Sequence, residues 1–191
     1  NLEKILNVYE ERKHWAEISG ANLLSDLNKI VSDKTHRDLI EITEALHERK
    51  IADIASEVVK SKKKVVLIAG PSSSGKTTFC HRLAIQLRTL GLKPKTISVD
   101  DYFKDNTLLP LEEDGLPDFE NINAIDLPLL NNDLDKLLKG EKINMPTFNF
   151  HLGKPEYLGN TLKLEENEIL MLEGIHCLNP EMTYKISEKE K

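Results

Sequence analysis

Residues Gly70-Pro71-Ser72-Ser73-Ser74-Gly75-Lys76-Thr77-Thr78 fit the pattern G-x-x-x-x-G-K-[ST], and no other stretch constrains the fold as much. An apolar run, Val65-Val66-Leu67-Ile68-Ala69, leads into it, and a helix-compatible run from Phe79 to Leu90 leads out. Strand, phosphate loop and helix in that order are the setting in which the pattern has physical meaning. Glycines allow successive backbone N–H groups to converge on phosphate oxygens, and the following helix presents its positive end there. Gly70, Ser72, Ser73, Ser74, Gly75, Lys76, Thr77 and Thr78 are therefore candidate nucleoside-triphosphate ligands. Lys76 supplies a point charge for the β- and γ-phosphates, and the Thr77 hydroxyl is placed to ligate Mg²⁺. A Ser/Gly-rich turn with no ligand leaves the Lys-Thr pair at the helix start unexplained.

The 191 residues suffice for one ordinary domain, or a small domain with an appendage. The formal charge of −6 is unevenly spread: residues 1–64 carry 12 basic and 12 acidic side chains, residues 65–191 carry 14 and 20. Neither part has the basic excess of an electrostatic nucleic-acid binder. The basic run Lys60-Ser61-Lys62-Lys63-Lys64 closes a helix, where cations oppose the negative dipole end. Two cysteines, Cys80 and Cys177, make no disulfide framework and read as buried thiols. No signal peptide or long apolar stretch is evident, so the expectation is a cytoplasmic protein with no membrane partner. The chain starts at Asn1 and ends in Glu188-Lys189-Glu190-Lys191, and it reads as a piece of something longer.

Residues 1–60 are expected to form a helical segment: Leu2–Ser19 stopped by Gly20, a short helix over Leu23–Val31, and a long one from about Thr35 to Val59. The long one keeps three-to-four apolar spacing except for one five-residue step, which implies a broad buried face or a bend. From residue 61 the pattern alternates between strands and helices. Strands are expected at Val65–Ala69, Lys95–Val99, Thr161–Leu164 and Glu168–Leu172, with a short extended piece at Lys142–Met145. Helices are expected after the phosphate loop and over Ala124–Leu138, with a loop across 104–122. This predicts an α/β class, a P-loop NTPase fold with a mainly parallel sheet over 61–191, preceded by the helical segment.

In open α/β sheets the chemistry lies beyond the carboxyl ends of the strands. Asp100-Asp101 ends one strand and Glu173 ends another. An acid there can hold Mg²⁺ directly or through its water shell, and a second can take the proton of an attacking hydroxyl. Asp100 and Glu173 are read as functional because both project over the same loop. For Asp101, capping of the next element competes evenly with function.

Of ten aromatic residues, six fall between 102 and 157: Tyr102, Phe103, Phe119, Phe148, Phe150 and Tyr157. Such a cluster suits a flat neutral ring held by stacking, or else a local core under long loops. From Asp100 to Asp126 there are nine acids and only Lys104, so a neutral hydroxyl compound fits as acceptor better than an anion.

The order GPSSSGKTT, ISVDDYF, LPDFENINAIDLPLL, INMPTFNFHLGKPEY, ILMLEGIH over roughly Lys64–Met182 resembles the uridine kinase and phosphoribulokinase family of P-loop kinases. The resemblance implies transfer of the ATP γ-phosphoryl group, with Mg²⁺, to the 5′-hydroxyl of a pyrimidine nucleoside. It makes Asp100 the base, with Lys76 beside it in the catalytic set, and Thr77 and Glu173 the metal residues. It lays Phe119 and Phe148 against the base with Tyr102 or Phe103 at its edge, and matches Glu120 and Asn149 to ribose-binding acids. His151 joins this acceptor set, although the family's histidine before its Arg-Lys step does not align cleanly with it. Tyr102-Phe103 stands where the family usually has Phe-Tyr, Glu120 where it has Asp, and Phe148-Asn149 where it has Tyr-Asp. The family also continues past the Glu173 strand into an arginine-rich lid. The lid part is thus expected to be absent from these residues, leaving the fold truncated at its C-terminus and turnover weak. HERKIADIASEVV resembles the end of the editing-type domain of threonyl-tRNA synthetase, which implies an adaptor or packing role for residues 1–60.

Competing readings are a kinase of another neutral small alcohol, and a P-loop ATPase or regulatory switch with an RNA or protein partner. A GTPase switch needs Asn-Lys-x-Asp, which does not occur, and a motor ATPase usually has adjacent acids where Glu173 is followed by Gly174. A homo-oligomer is compatible with all of these.

Overall fold

The computed structural model describes residues 2–112 and 115–191, which fall into two compact units divided between Asp53 and Ile54. The first contains α1 (Leu2–Ser19), α2 (Leu24–Ser32) and the larger part of α3 (His36–Ser61), up to Asp53. Gly20, at φ 66°, ends α1 as expected. α3 runs unbroken through the five-residue step between Leu46 and Ile51. Within this unit the Trp15 and His47 rings meet edge to face, 5.0 Å between centroids, and Lys50 pairs with Glu11. Among its described residues only Ile51 is buried, and Leu2, Ile5, Leu6 and Tyr9 are exposed.

The second unit is built on a three-stranded parallel sheet of β1 (Val65–Ile68), β2 (Lys93–Ser98) and β7 (Glu168–Glu173), in the order β1-β7-β2. β7 is the central strand because Ile169-Leu170-Met171-Leu172 is apolar on both faces, each residue at most 1% exposed. Its register aligns Glu173 with Ile68 on one side and with Ser98 on the other. The three strands therefore end level, and the loops that follow them open on one edge of the sheet.

Helix α4 (Lys76–Thr89) connects β1 to β2 and buries Cys80, Leu83, Ala84 and Leu87. Helix α5 (Leu127–Leu138) starts three residues later than expected, because Ile122–Ala124 forms a separate 3₁₀ turn. Its start is set by Asp126, whose carboxylate accepts from the Leu129 N–H at 3.0 Å, and by Pro128 in the first turn. Leu130, Leu134 and Leu137 of α5 are fully buried. Its Asn131 donates to the Met182 carbonyl and accepts from the Lys185 N–H, tying the chain after β7 to this helix.

Two small antiparallel pairs complete the unit. β3 (Ile143–Asn144) pairs with β6 (Thr161–Leu162), and β4 (Thr147–Asn149) pairs with β5 (Lys154–Glu156). The second pair was not evident in the sequence. Pro155 interrupts its only candidate return strand, a residue tolerated there because an isolated hairpin has two free edges.

Candidate functional site

The phosphate loop folds as its glycines require. Ser73 and Gly75 are left-handed (φ 57° and 86°), and the Ser74 N–H closes a turn on the Pro71 carbonyl at 3.3 Å. A side chain at Gly70 would collide with Ser74 Oγ, 2.8 Å from where its Cβ would lie. Helix α4 begins at Lys76, so Thr77 and Thr78 lie in its first turn, and no side chain caps Gly75. The free N–H groups of that turn are left to whatever anion the loop receives. Lys76 Nζ donates to the Pro71 carbonyl at 2.8 Å, which folds the ammonium back over the loop. Beside the loop lies a cleft of about 480 Å³ whose walls include Gly75, Lys76, Phe79, Leu178 and the β1 residues Val66, Leu67 and Ile68.

Glu173 stands opposite. The Thr77 hydroxyl is 3.2 Å from Glu173 Oε1 and 3.4 Å from Oε2. Glu173 is brought this close to the end of β2 by Gly174, where any Cβ would come within 2.8 Å of Val99 Cβ. Asp100, two residues past the Ser98 that aligns with Glu173, keeps an exposed edge. Its carboxyl is nevertheless crowded, and its pKa is raised first by desolvation and then by the negative charge of Glu173, while Lys76 opposes the shift and Asp101 adds to it. Asp100, Glu173 and Lys76 therefore share one electrostatic environment. Cys177 lies beneath the same charges, fully buried, its thiol pushed up to about 12 chiefly by burial, and is inert as a nucleophile.

Mg²⁺ keeps several waters and takes one or two carboxylates plus phosphate oxygens. A hydroxyl and a carboxylate in contact are hard oxygen donors of that kind. The described residues hold no group of three His, Cys, Asp or Glu that could form a metal cage, which a site of this kind does not need.

The acceptor region is more closed than the sequence suggests. Phe103, Phe119, Phe148 and Phe150 form one aromatic cluster. Phe103 meets Phe119 at 5.0 Å and Phe148 at 5.6 Å, Phe148 meets Phe150 at 4.9 Å, and all three contacts are edge to face. Phe119 and Phe148 are 6.0 Å apart and inclined by 75°. Phe119 and Phe148, the two rings expected to lie against the base, are thus inclined to one another and each packs on neighbouring rings. Phe148 is 5% exposed and Phe103 6%, whereas Phe150 is 63% exposed and is the face the cluster offers to solvent. Phe150 opens the turn after β4, two residues beyond Phe148, and its ring packs 4.9 Å from that of Phe148.

Several other expectations are corrected. Of the two residues expected at the acceptor's edge, Tyr102 or Phe103, Tyr102 is 1% exposed and its hydroxyl donates to Asp133 Oδ2 on α5 at 3.2 Å, which engages it in the core. Asn149 does not hold a free polar group toward a sugar. Its Nδ2 donates to Glu156 at 2.8 Å, and its Oδ1 accepts from the His151 and Leu152 N–H groups at 3.1 Å each. It is the turn-former of the β4–β5 hairpin, an Asx turn, and His151 is an exposed residue of that turn. Asp101 is a structural residue, accepting from the Phe148 N–H at 3.3 Å and so tying the hairpin to the end of β2. Glu120 leaves its carboxylate exposed on a loop ordered by Asp118, which accepts from the Glu120 and Asn121 N–H groups. His176, the last residue of the ILMLEGIH segment and given no role by the sequence reading, bonds the Glu120 carbonyl at 2.7 Å. Glu113 and Asp114, two of the nine acids counted in this region, lie outside the described residues.

No described helix is long and apolar enough to cross a membrane. The curated relatives that match include the uridine kinase of Lactobacillus helveticus, 36% identical over 122 residues that make up 62% of this chain and 56% of that protein. The chain spans about half the length of the curated relatives it matches. Among solved structures, a possible uridine kinase from Bacillus stearothermophilus superposes with a TM-score of 0.57 at 20% identity, over 73% of this chain and 77% of that one. A putative fructose transport system kinase from Silicibacter sp. TM1040 gives 0.55 at 23%, over 65% and 62%. These two likenesses show a shared fold, in agreement with the expected P-loop NTPase class. Residues 65–185, from the first strand of the sheet to the segment that α5 anchors, match the Phosphoribulokinase / Uridine kinase family, and the chain belongs to that family.

Proposed function

We propose that the protein transfers the γ-phosphoryl group of ATP to the 5′-hydroxyl of a pyrimidine nucleoside. The observation that carries this is the contact of Thr77 with Glu173 in the crevice that also holds Asp100 and Lys76. Thr77 and Glu173 would hold Mg²⁺, which when bound neutralises charge on the phosphate oxygens. Lys76 adds its positive charge where negative charge moves during transfer. Asp100 takes the proton of the acceptor hydroxyl, and its raised pKa brings its basicity closer to that task than an ordinary carboxylate's. The nucleoside ring lies against the Phe150 side of the aromatic cluster, since Phe119 and Phe148 leave no slot between them. Glu120, exposed beside Phe119, accepts from the ribose hydroxyls.

Residues 1–60 serve as an adaptor or packing segment, and residues 61–191 as the kinase domain. The setting is the cytoplasm, where ATP and free nucleosides meet.

A second reading is favoured by the closed rings and the engaged Asn149. The acceptor is then another neutral small alcohol, because neither feature demands a pyrimidine. ADP release from the full-length protein, measured with uridine, cytidine, other alcohols or RNA added singly, separates the readings. Uridine- or cytidine-dependent release with a 5′-phosphorylated product supports the first. Release with a different alcohol alone supports the second. RNA-dependent release without a phosphorylated product overturns both.

A further inference from the structure

The bond between His176 and the Glu120 carbonyl joins two parts of the site that are 56 residues apart in the chain. A carbonyl oxygen can only accept, so His176 Nε2 carries the hydrogen and donates it. On the His176 side the backbone is anchored. Cys177, next to it, is fully buried, and the Cys177 and Asn179 N–H groups close turns on the Gly174 and His176 carbonyls. This turn follows directly from Glu173. On the Glu120 side the chain is a loop held on one flank: Phe119 is half-buried against Phe103 and Phe148, Glu120 is exposed, the Asp118 carboxylate accepts only from the Glu120 and Asn121 N–H groups, and the Asp118 N–H donates to the Pro110 carbonyl.

We propose that His176 is a positioning residue that fixes the Phe119–Glu120 segment relative to the metal-holding end of the site. It has no need to touch either substrate. Its ring transmits the position of the β7 terminus to the loop that carries one acceptor-facing ring and one exposed carboxylate. The inference rests on the kinase reading, since it assigns Phe119 and Glu120 to the acceptor. The tether itself is a property of the fold and can be tested without turnover.

The test compares His176→Ala and His176→Gln in the full-length protein, because a glutamine amide can place an N–H donor near the position of Nε2. Loss of one ordinary hydrogen bond corresponds to about tenfold in an equilibrium. In His176→Ala the KM for the acceptor is expected to rise about tenfold, more than kcat falls, with the KM for ATP changed less than about twofold. Amide hydrogen exchange at Glu120 and Asn121 is expected to quicken by a similar factor. His176→Gln restores both. Unchanged exchange in His176→Ala, or a loss shared equally by kcat and both KM values, overturns the proposal, as does failure of the glutamine to restore either readout. If the unsubstituted protein phosphorylates no alcohol, the kinase reading falls, and the exchange measurement alone decides whether the tether exists.

Discussion

The phosphate end and the acceptor end of this site are built in opposite ways. At the phosphate end the backbone does the positioning, through the left-handed turns of Ser73 and Gly75, the start of α4 and the close approach allowed by Gly174. The side chains of Lys76, Thr77, Glu173 and Asp100 are left to handle charge. At the acceptor end the side chains position one another. Four phenylalanines pack edge to face, Asn149 folds its own turn, Asp101 holds the hairpin and Tyr102 bonds Asp133. Backbone-built sites tolerate substitution around them and keep one chemistry. Side-chain-built sites change shape with each substitution, which suits the part of an enzyme that chooses its substrate.

The contrast breaks most visibly at Asp100. Asp100→Asn removes the proposed base, and kcat is expected to fall about 10²- to 10⁴-fold, as for other positioned general bases. The same substitution should raise the melting temperature at neutral pH. A carboxyl whose folded pKa lies above its unfolded value makes the ionised native state less stable. That penalty is present at neutral pH and is relieved as pH falls through the raised pKa. For the same reason, activity should fall away on the acid side at a higher pH than an ordinary carboxylate would give. A calorimetric scan with a pH–rate profile checks both signs, and a less stable Asp100→Asn protein with normal turnover would place the base elsewhere.

Glu173→Gln comes next. It keeps the contact with Thr77 in shape but removes the charge, so the Mg²⁺ concentration for half-maximal activity should rise about 10- to 100-fold, the range seen when groups that support a metal are altered. Titration of activity against Mg²⁺ at saturating ATP measures it. An unchanged midpoint would mean that the metal is held by other groups.

The two ends also differ in how much of them could be read from sequence. The loop, its strand and the acids at 100 and 173 are encoded by spacing within one strand–loop–helix or strand–loop unit, so local rules reach them. The placement of β7 between β1 and β2 is not local, and the expected strand at 168–172 carried no sheet position. The start of α4 at the Lys-Thr pair follows from the loop pattern, whereas apolar period alone begins the helix only at Phe79. At the acceptor end the aromatic residues were correctly counted, yet their mutual packing was not visible, since ring geometry depends on how the 102–103, 119 and 148–150 segments converge. The Tyr102–Asp133 and His176–Glu120 bonds span 31 and 56 residues and leave no periodicity to detect.

Phe150 sharpens the comparison from the acceptor side. Its ring is mostly exposed, so Phe150→Ala should cost the fold little, while burying an aromatic against a base is worth about 1–3 kcal/mol by alanine substitution. The KM for a nucleoside acceptor should then rise about tenfold, near the low end of that range. The KM for a small non-aromatic alcohol should not move. Phe103→Ala, at a buried position, should instead lower stability by about 3–5 kcal/mol, the range for emptying a core of a phenyl ring. Equal effects of the two substitutions on stability would show that Phe150 belongs to the packed core and not to a binding face.

The smallest functional effect is expected at Tyr102, and it tests whether the core and the acceptor face are separate. Tyr102→Phe keeps the ring in place and removes only the hydroxyl. Asp133, 5% exposed and already raised in pKa by burial, then loses the donor that lowers it. An unsatisfied buried acceptor costs about 1–3 kcal/mol, so chemical denaturation should show a midpoint shift of that size with unchanged slope. The penalty should ease below neutral pH, where the Asp133 carboxyl can protonate, because a raised folded pKa favours the neutral native form as pH falls. The KM for acceptor and for ATP should both stay where they are. A selective rise in the acceptor KM without any stability loss would instead put the Tyr102 hydroxyl in the binding face, and would mean that Asp133 is bonded to it only in the absence of substrate.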